Sequence, residues 1–396
     1  MFGNIAYDLS LWNNQKNTHT NFLWQNVGCI GGWLQGAGHS LVSHDYGLGA
    51  DQLLEAKVVL ADGNLVTANA CHNPSLFRAI RGGGPAYGVV VSGTWKAYPT
   101  QSVTTHTMTF AAETANDIAS FLSAVEGVYK NSVHILNHGF TGYGVWSTSG
   151  RLTNPPLEMP TYTHTLLGLG KSEDQAVKVL APLIERIRSL SGVRFVESAF
   201  NGYPTYAAFQ GNSLFTNSSA PAGLLVAWGS RLLDRRALHD TAALRHAIET
   251  LAGDASQGAM NGLIFVGGGK VFTADRDEPK TTSVLPAWRR TYVHALVQRM
   301  WTQETLPEDV EALQNDITNV KTAALVKLAP DTGAYMNEAD LSDAEWRKDF
   351  YGENYKMLQN IKDLYDPDGI FYCSTCVSAE RWAISERGTL CQRRRN

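Results

Sequence analysis

The sequence predicts an α+β fold, and three of its features carry that prediction. Beyond Thr100, amphipathic helical stretches alternate with strand-like runs, the pattern of an antiparallel sheet backed on one face by helices. Residues 28–99 instead hold the glycine clusters Gly31-Gly32, Gly36-Ala37-Gly38 and Gly82-Gly83-Gly84, spaced by a hairpin and a short helix. From Ser342 a capped helix runs to the stop Tyr365-Asp366-Pro367-Asp368-Gly369 and a last short strand, Ile370–Tyr372.

Composition sets the bounds. A length of 396 residues suits two or three lobes, and 44% hydrophobic with 18% charged residues excludes a disordered chain. A net charge of −4 gives no electrostatic case for a nucleic-acid partner. No apolar run reaches the ~18 residues of a membrane span, and the N-terminus lacks the apolar core of a signal peptide. Arg393-Arg394-Arg395 reads as a solvated tail.

Residues 1–27, polar and Trp-containing, read as an irregular lead-in. Leu53–Leu60 is expected as a strand, Ala61-Asp62-Gly63-Asn64 as its turn and Leu65–Ala68 as its partner. Asn73-Pro74-Ser75 opens a short helix that the glycines after Arg81 end; Val89–Trp95 is the next strand, and Pro99 closes the unit. Helical periodicity covers Thr114–Lys130, Ser172–Leu190 and Asp234–Ala252, the last capped by Asp234 and stopped by Gly253. The strand-like pieces are His134–Phe140, Thr161–Leu167, Leu224–Gly229 and Gly262–Val266. Trp288–Trp301 alternates, with Thr291, Val293, Ala295 and Val297 on a small apolar face and Tyr292, His294, Leu296 and Gln298 on the other.

Glycine lets a backbone approach a ligand closely or adopt positive φ. Three clusters between regular elements suggest a backbone wrapped around something long and polar. Neither common phosphate motif fits: Leu41 stands where a Rossmann fingerprint needs its third glycine, and Val271 follows Gly269-Lys270.

The stretch resembles the FAD-binding domain of the vanillyl-alcohol-oxidase flavoproteins (PCMH-type), in their berberine-bridge-enzyme-like branch. The resemblance is carried by Gly36-Ala37-Gly38-His39-Ser40, Tyr46-Gly47-Leu48-Gly49-Ala50-Asp51, Ala61-Asp62-Gly63, Asn73-Pro74-Ser75-Leu76-Phe77, Arg81-Gly82-Gly83-Gly84 and Gly88-Val89-Val90. Phe350-Tyr351-Gly352-Glu353-Asn354-Tyr355 and Tyr365–Phe371 resemble the family's C-terminal segment, which returns to the FAD domain. The tail is most similar to fungal isoamyl-alcohol-oxidase-like members. The resemblance implies a partial PCMH-type FAD-binding subdomain over 1–99, an antiparallel-sheet substrate domain backed by helices over 100–340, and a berberine-bridge-like segment over 341–396. The family's Arg-Ser-Gly-Gly-His pyrophosphate loop has no counterpart here, so the chain reads as N-terminally truncated. Trp24 stands where some relatives have a flavin-linked Cys, which leaves no visible covalent tether.

The resemblance also assigns residues. Gly36, Gly38 and His39 are candidate FAD contacts, with Tyr46, Asp51, Gly88 and Val89 toward the adenine; Asp51 could equally cap its loop. In the family the strand matching Trp288–Trp301 floors the substrate pocket and bears the acid–base residue. His294 is the titratable group there, and an unperturbed pKa of about 6.5 suits it to take an alcohol proton near neutrality; the alternative is a structural histidine. Many relatives have a tyrosine base where Phe350 stands. Tyr351 lies one helical step away, and Asn354 would face the flavin or substrate. Asp340, in a Tyr-x-Asn-x-x-Asp segment, either supports the base or caps a turn.

The expected function is an FAD-dependent oxidase or dehydrogenase removing a hydride from an alcohol or similar group of a small, secondary-metabolite-type molecule, with O₂ as acceptor. The alternative is a non-redox binding protein or pseudoenzyme without functional FAD. Cys373, Cys376 and Cys391 lack the further ligands of a zinc site. A disulfide from Cys391 to Cys373 or Cys376 would staple a polar tail and imply an oxidising compartment, which the sequon Asn217-Ser218-Ser219 fits.

Overall fold

The computed structural model describes residues 17–18 (backbone alone), 27–149, 158–212, 225–253, 260–277 and 281–393. The rest of the expected lead-in up to residue 26, with Trp24, lies outside them, as do Asn217-Ser218-Ser219 and Arg394-Arg395. In chain order the strands are Asn17–Thr18 (β1), Leu53–Val59 (β2), Leu65–Asn69 (β3), Val89–Trp95 (β4), Tyr98–Pro99 (β5), Val103–Ala112 (β6), Phe140–Ser147 (β7), Thr161–Leu169 (β8), Val193–Tyr203 (β9), Leu225–Asp234 (β10), Met260–Phe265 (β11), Thr291–Trp301 (β12), Trp382–Ile384 (β13) and Leu390–Gln392 (β14). The class is α+β, as the sequence implies.

β3, β2 and β4 form a small antiparallel sheet, and β1 pairs with β5. The β2–β3 turn closes because Gly63 takes φ +84 and Asp62 Oδ1 accepts from Asn64 N at 2.9 Å. Leu53, Ala56 and Val58 share a core with Phe77 and Ile80 of the helix Pro74–Ile80 and with Leu358, Ile361, Val377 and Ala379 near the other chain end. Polar contacts reinforce that return. Tyr365 Oη lies 3.3 Å from Ser75 Oγ, and Lys362 Nζ donates to Ala86 O at 2.5 Å.

The large sheet is antiparallel in the order β10-β12-β11-β7-β8-β6-β9. Met108 and Phe110 of β6, with Val293, Ala295 and Val297 of β12, pack under the helices Ile118–Asn137, Glu173–Arg188 and Thr241–Ala252. Each large apolar side chain buried there contributes about 1.5–3 kcal/mol. His294 and Leu296 point to the opposite face, where Trp288 and Tyr335 meet them. Tyr292 leaves the expected alternation: the pairing with β10 slips between Leu233 and Asp234, and Tyr292 joins the helix-side core.

Five local expectations are corrected. His134–Phe140 is not a strand. Val133 and Leu136 continue the buried helical stripe to Asn137, and Gly139 (φ +80) ends it before β7 starts. Asp234–Ala252 is two helices, Arg235–His239 and Thr241–Ala252, because Asp240 caps the second by accepting from Ala243 N at 3.1 Å, as Asp234 caps the first. No capping box forms at Ser342. Its N–H donates to Asp340 Oδ1, and Gly352 (φ +56) separates a short π-helical turn, Arg347–Tyr351, from the helix Tyr355–Tyr365. Ile370–Tyr372 is a loop, because Asp366 draws in the amides of Ile370 and Phe371 at 2.9 Å each. The disulfide joins Cys373 to Cys376, with Cα atoms 5.2 Å apart, and Cys391 is free and exposed. The tail needs no staple from Cys391, since it folds back on itself as the β13–β14 hairpin.

Candidate active site

Three distant segments converge on the sheet face away from the helices. β12 supplies His294, held between Leu232 of β10 and Ile264 of β11 and fully buried. The turn Pro286–Arg290 just before β12 supplies Trp288. The loop 36–40 supplies His39 through a sharp bend, with Ala37 at φ +112 and Gly38 at φ +75. Trp33 Nε1 donates to His39 O at 3.0 Å, and a Cβ on Gly38 would come within 2.8 Å of Trp33 O. Only glycine lets the loop lie this close.

The third segment runs from Gly333 to Glu338. It is pinned to β10 by Leu232 N donating to Gly333 O at 2.8 Å, and to the segment after it by Ala334 N donating to Asp349 O at 2.8 Å. Asp349 in turn receives buried Arg231, whose guanidinium also donates to Ala329 O and Pro330 O. Asn337 Nδ2 donates to Gly32 O and to Tyr335 Oη, both at 2.7 Å. A Cβ on Gly36 would stand 2.5 Å from that amide nitrogen, so Gly36 is the seat for Asn337.

Glu338 Oε2 then lies 2.9 Å from His294 Nε2 and 3.4 Å from His39 Nε2. His39 Nδ1 is 3.3 Å from Tyr143 Oη, and Tyr335 and Trp288 ring both imidazoles. Burial opposes the Glu338 charge, but His39 and His294 outweigh it and hold the carboxyl well below the usual carboxylate range. Burial lowers the pKa of His294, and Glu338 only partly offsets this. Burial, and then the Glu338 charge, push up the hydroxyls of Tyr143 and Tyr335.

An ionised carboxylate can only accept hydrogen bonds, so the Nε2 of His294 carries its proton. In the neutral ring Nδ1 is then a lone pair, and this buried atom has no partner among the described residues. The arrangement is a carboxylate-oriented imidazole whose acceptor nitrogen is buried and unpartnered among the described residues.

The remaining sequence candidates sit elsewhere. Tyr351 Oη donates to Thr375 O at 2.9 Å, within a cluster with Trp346 and Tyr355. Asp340 holds the turn at Ser342, and the carboxylate that reaches His294 is Glu338, which the same segment offered two residues earlier. Asn354 Nδ2 donates to Ser283 O and Val284 O. Asp51 pairs with Arg289, and Tyr46 stacks on Tyr98 with ring centroids 4.0 Å apart. Gly88 lets the chain pass β2, since a Cβ there would meet Val58 Cγ1 at 2.6 Å; Val89 is exposed. Glu338, Tyr335, Trp288 and Tyr143 were not singled out from sequence. An open cavity of about 740 Å³, lined by Phe77, Arg78, Met357 and Leu364 among others, shares no residue with the His39–His294–Glu338 group.

Comparison with known proteins identifies the family. Residues 334–378 match the family "Berberine and berberine like", and residues 2–69 match "FAD binding domain". The VAO-type flavoprotein MtVAO713 from Myceliophthora thermophila C1 superposes with a TM-score of 0.91 at 37% identity, over 98% of this chain and 67% of that one. The chain belongs to the berberine-bridge-like branch of the VAO-type flavoproteins. The FAD-linked oxidoreductase hmp9 of Hypomyces subiculosus is 37% identical over 372 residues, 92% of this chain and 58% of that protein. This flavoprotein chain thus spans about three fifths of the length of the curated relatives it matches. Glucooligosaccharide oxidase from Acremonium strictum, described as having a 6-S-cysteinyl, 8α-N1-histidyl FAD, shares the fold at TM-score 0.72 and 18% identity, over 95% of this chain and 76% of that one.

FAD is the cofactor of the family, and the residues present fit it. Among the described residues, a Cβ on Gly28 or Gly31 would meet nothing within 4 Å, and one on Gly32 only Asn337 Oδ1 at 3.7 Å. A bare backbone ribbon, uncovered by any described side chain at Gly28 and Gly31, therefore lies next to the segment that delivers Glu338. The unpartnered Nδ1 of His294 offers a polar atom to whatever occupies the site.

Proposed function

We propose that the protein is an FAD-dependent oxidase or dehydrogenase of a small organic alcohol, with His294 as the proton acceptor. The reading rests on one observation: His294 Nε2 is held by Glu338 at 2.9 Å while its buried Nδ1 has no partner among the described residues. The glycine ribbon Gly28–Gly32, the loop Gly36–His39 and Asn337 are the residues that would hold FAD. Bound FAD supplies the acceptor for the hydride that leaves the carbinol carbon. His294 Nδ1 takes the hydroxyl proton, so the alcohol becomes a carbonyl as the C–H bond breaks. Glu338 fixes the imidazole tautomer and stabilises the imidazolium that forms, while the collar of Trp288, Tyr335 and Tyr143 excludes water. O₂ is the terminal acceptor in this reading.

The test is anaerobic mixing of the purified flavin-bearing protein with a panel of aromatic and aliphatic alcohols, followed by bleaching of the flavin band near ~450 nm. His294→Ala should slow bleaching by about 10²–10⁴-fold with little change in substrate affinity. Reduction by His294→Ala at the parent rate would remove His294 from the chemistry. Protein that takes up no flavin would favour the non-redox alternative, and slow reoxidation in air would exclude O₂ as the acceptor.

A further inference from the structure

Among the described residues, one group brings three metal-ligating side chains together. His39 Nε2, His294 Nε2 and a Glu338 carboxylate oxygen all lie within 4.8 Å of one another. Three ligands bound at about 2.0–2.2 Å in a tetrahedral shell stand roughly 3.3 Å apart. The two separations to Glu338 Oε2, 2.9 and 3.4 Å, bracket that value. Both imidazoles are buried and set on rigid backbone: His294 in the middle of β12, His39 on the bend that Gly38 permits. The Glu338 side chain keeps 22% of its surface exposed, which leaves an approach for an ion. Tyr143 Oη, 3.3 Å from His39 Nδ1, would orient a metal-bound ring from behind, since a hydroxyl can accept as well as donate.

We propose that His39, His294 and Glu338 form a binding site for one divalent transition-metal ion of the zinc or cobalt type. Two imidazoles and one carboxylate with the fourth position open favour these borderline ions over Mg²⁺ or Ca²⁺, which need more oxygen ligands. Occupancy has a consequence that rests on the reading above. A metal on Nε2 of neutral His294 forces the ring proton onto Nδ1, the atom that would accept the substrate proton. The ion and the catalytic tautomer exclude each other, so the metal acts as an inhibitor.

The experiment is equilibrium dialysis of the full chain against Zn²⁺ with metal analysis, repeated for Glu338→Gln, His294→Ala, His39→Ala and His138→Ala. His138 is the control because it forms, with His134, an exposed pair one helical turn apart whose ring centroids are 4.3 Å from each other. One ion per chain is expected in the parent and in His138→Ala, with affinity reduced about 100-fold or more in each of the other three. Glu338→Gln keeps the size of the side chain, and matching far-UV circular dichroism would show that its loss is not unfolding. No saturable binding, equal binding by Glu338→Gln, or loss in His138→Ala alone would overturn the proposal. Binding is read without turnover, so a failure here is distinct from a failure of His294 as the proton acceptor.

Discussion

Breaking the ion pair between Asp51 and Arg289 should cost unequal amounts from its two ends. Arg289 Nη2 and Nη1 donate to Asp51 Oδ1 and Oδ2 at 2.8 and 2.9 Å, and both side chains are only 9% exposed. The pair joins the loop after His39 to the turn that launches β12, so it braces two of the site's three segments. Burial works against the Arg289 charge, and Asp51 and Asp275 more than offset it. Asp275 lies 3.0 Å from Arg289 Nη2 and is 44% exposed. In Asp51→Asn the guanidinium therefore keeps a solvated counter-charge, and the loss should be about 1–3 kcal/mol. In Arg289→Met the buried carboxylate keeps Leu48 N, at 2.9 Å, as its remaining described donor, and the loss should be about 3–5 kcal/mol. The double variant removes both charges and should cost clearly less than the sum of the two. Urea unfolding followed by tryptophan fluorescence is a suitable assay, because buried Trp288 adjoins Arg289. Equal single-variant costs, costs below about 1 kcal/mol, or strict additivity would refute the reasoning.

Other predictions concern protons and sulfur. Burial lowers the His106 pKa to about 4 and pushes His164, 3.1 Å away through the ring nitrogens, well below its ordinary value. Both fold as neutral rings, so their contribution is complete above the unfolded pKa of about 6.5 and is lost as pH falls from there toward 4; for His106 it is on the order of 3 kcal/mol. Urea midpoints should decline between pH 6.5 and 5, above the carboxylate range, and a flat profile would contradict this. For catalysis, the acid limb of kcat/KM should lie below pH 6.5, since burial lowers the His294 pKa, and Glu338→Gln should move it lower still by removing the charge that raises it; an unmoved or raised limb would show that Glu338 does not orient the base. Non-reducing peptide mapping should recover Cys373 linked to Cys376 with Cys391 alkylated, and a Cys391 cross-link would contradict the hairpin arrangement.

The residues legible in the sequence were those whose local chemistry has one outcome. Alternation along Thr291–Trp301 put Val293, Ala295 and Val297 on one face and His294 on the other, and in the structure the first three pack under the helices while His294 faces Trp288 and Tyr335. Gly63 could only be a turn, and Asn73-Pro74 could only open a helix. Elements failed where two local rules competed. The run through His134 has strand-like composition, yet Val133 and Leu136 extend a stripe already nucleated at Phe121, so continuing the helix wins. Ser342 and Glu345 have capping-box spacing, but Asp340 and Asp343 capture the amides of Ser342 and Glu345 first.

Glu338 was illegible for a different reason. A carboxylate in a turn-rich stretch beside Asp340 has no local feature that sends it inward. Its direction is set by partners far away in the chain: Gly36 makes room for Asn337, Asn337 ties the turn to Gly32, and the Arg231–Asp349 pair holds the approach on β10. The same placement decides the chemistry. His294 alone on its strand would be a buried neutral histidine with a lowered pKa and two equivalent tautomers. Glu338 selects one of them, because its ionised oxygen accepts from Nε2 and leaves Nδ1 as the unprotonated nitrogen, without a partner among the described residues. His39 shares that oxygen at the longer distance of 3.4 Å, so it helps keep the carboxylate charged without displacing His294 from it. The site's polarity thus depends on the difference between two contacts to one oxygen atom. Shortening the His39 contact, as a non-glycine residue at position 38 would risk by shifting the loop, would disturb the base without touching β12.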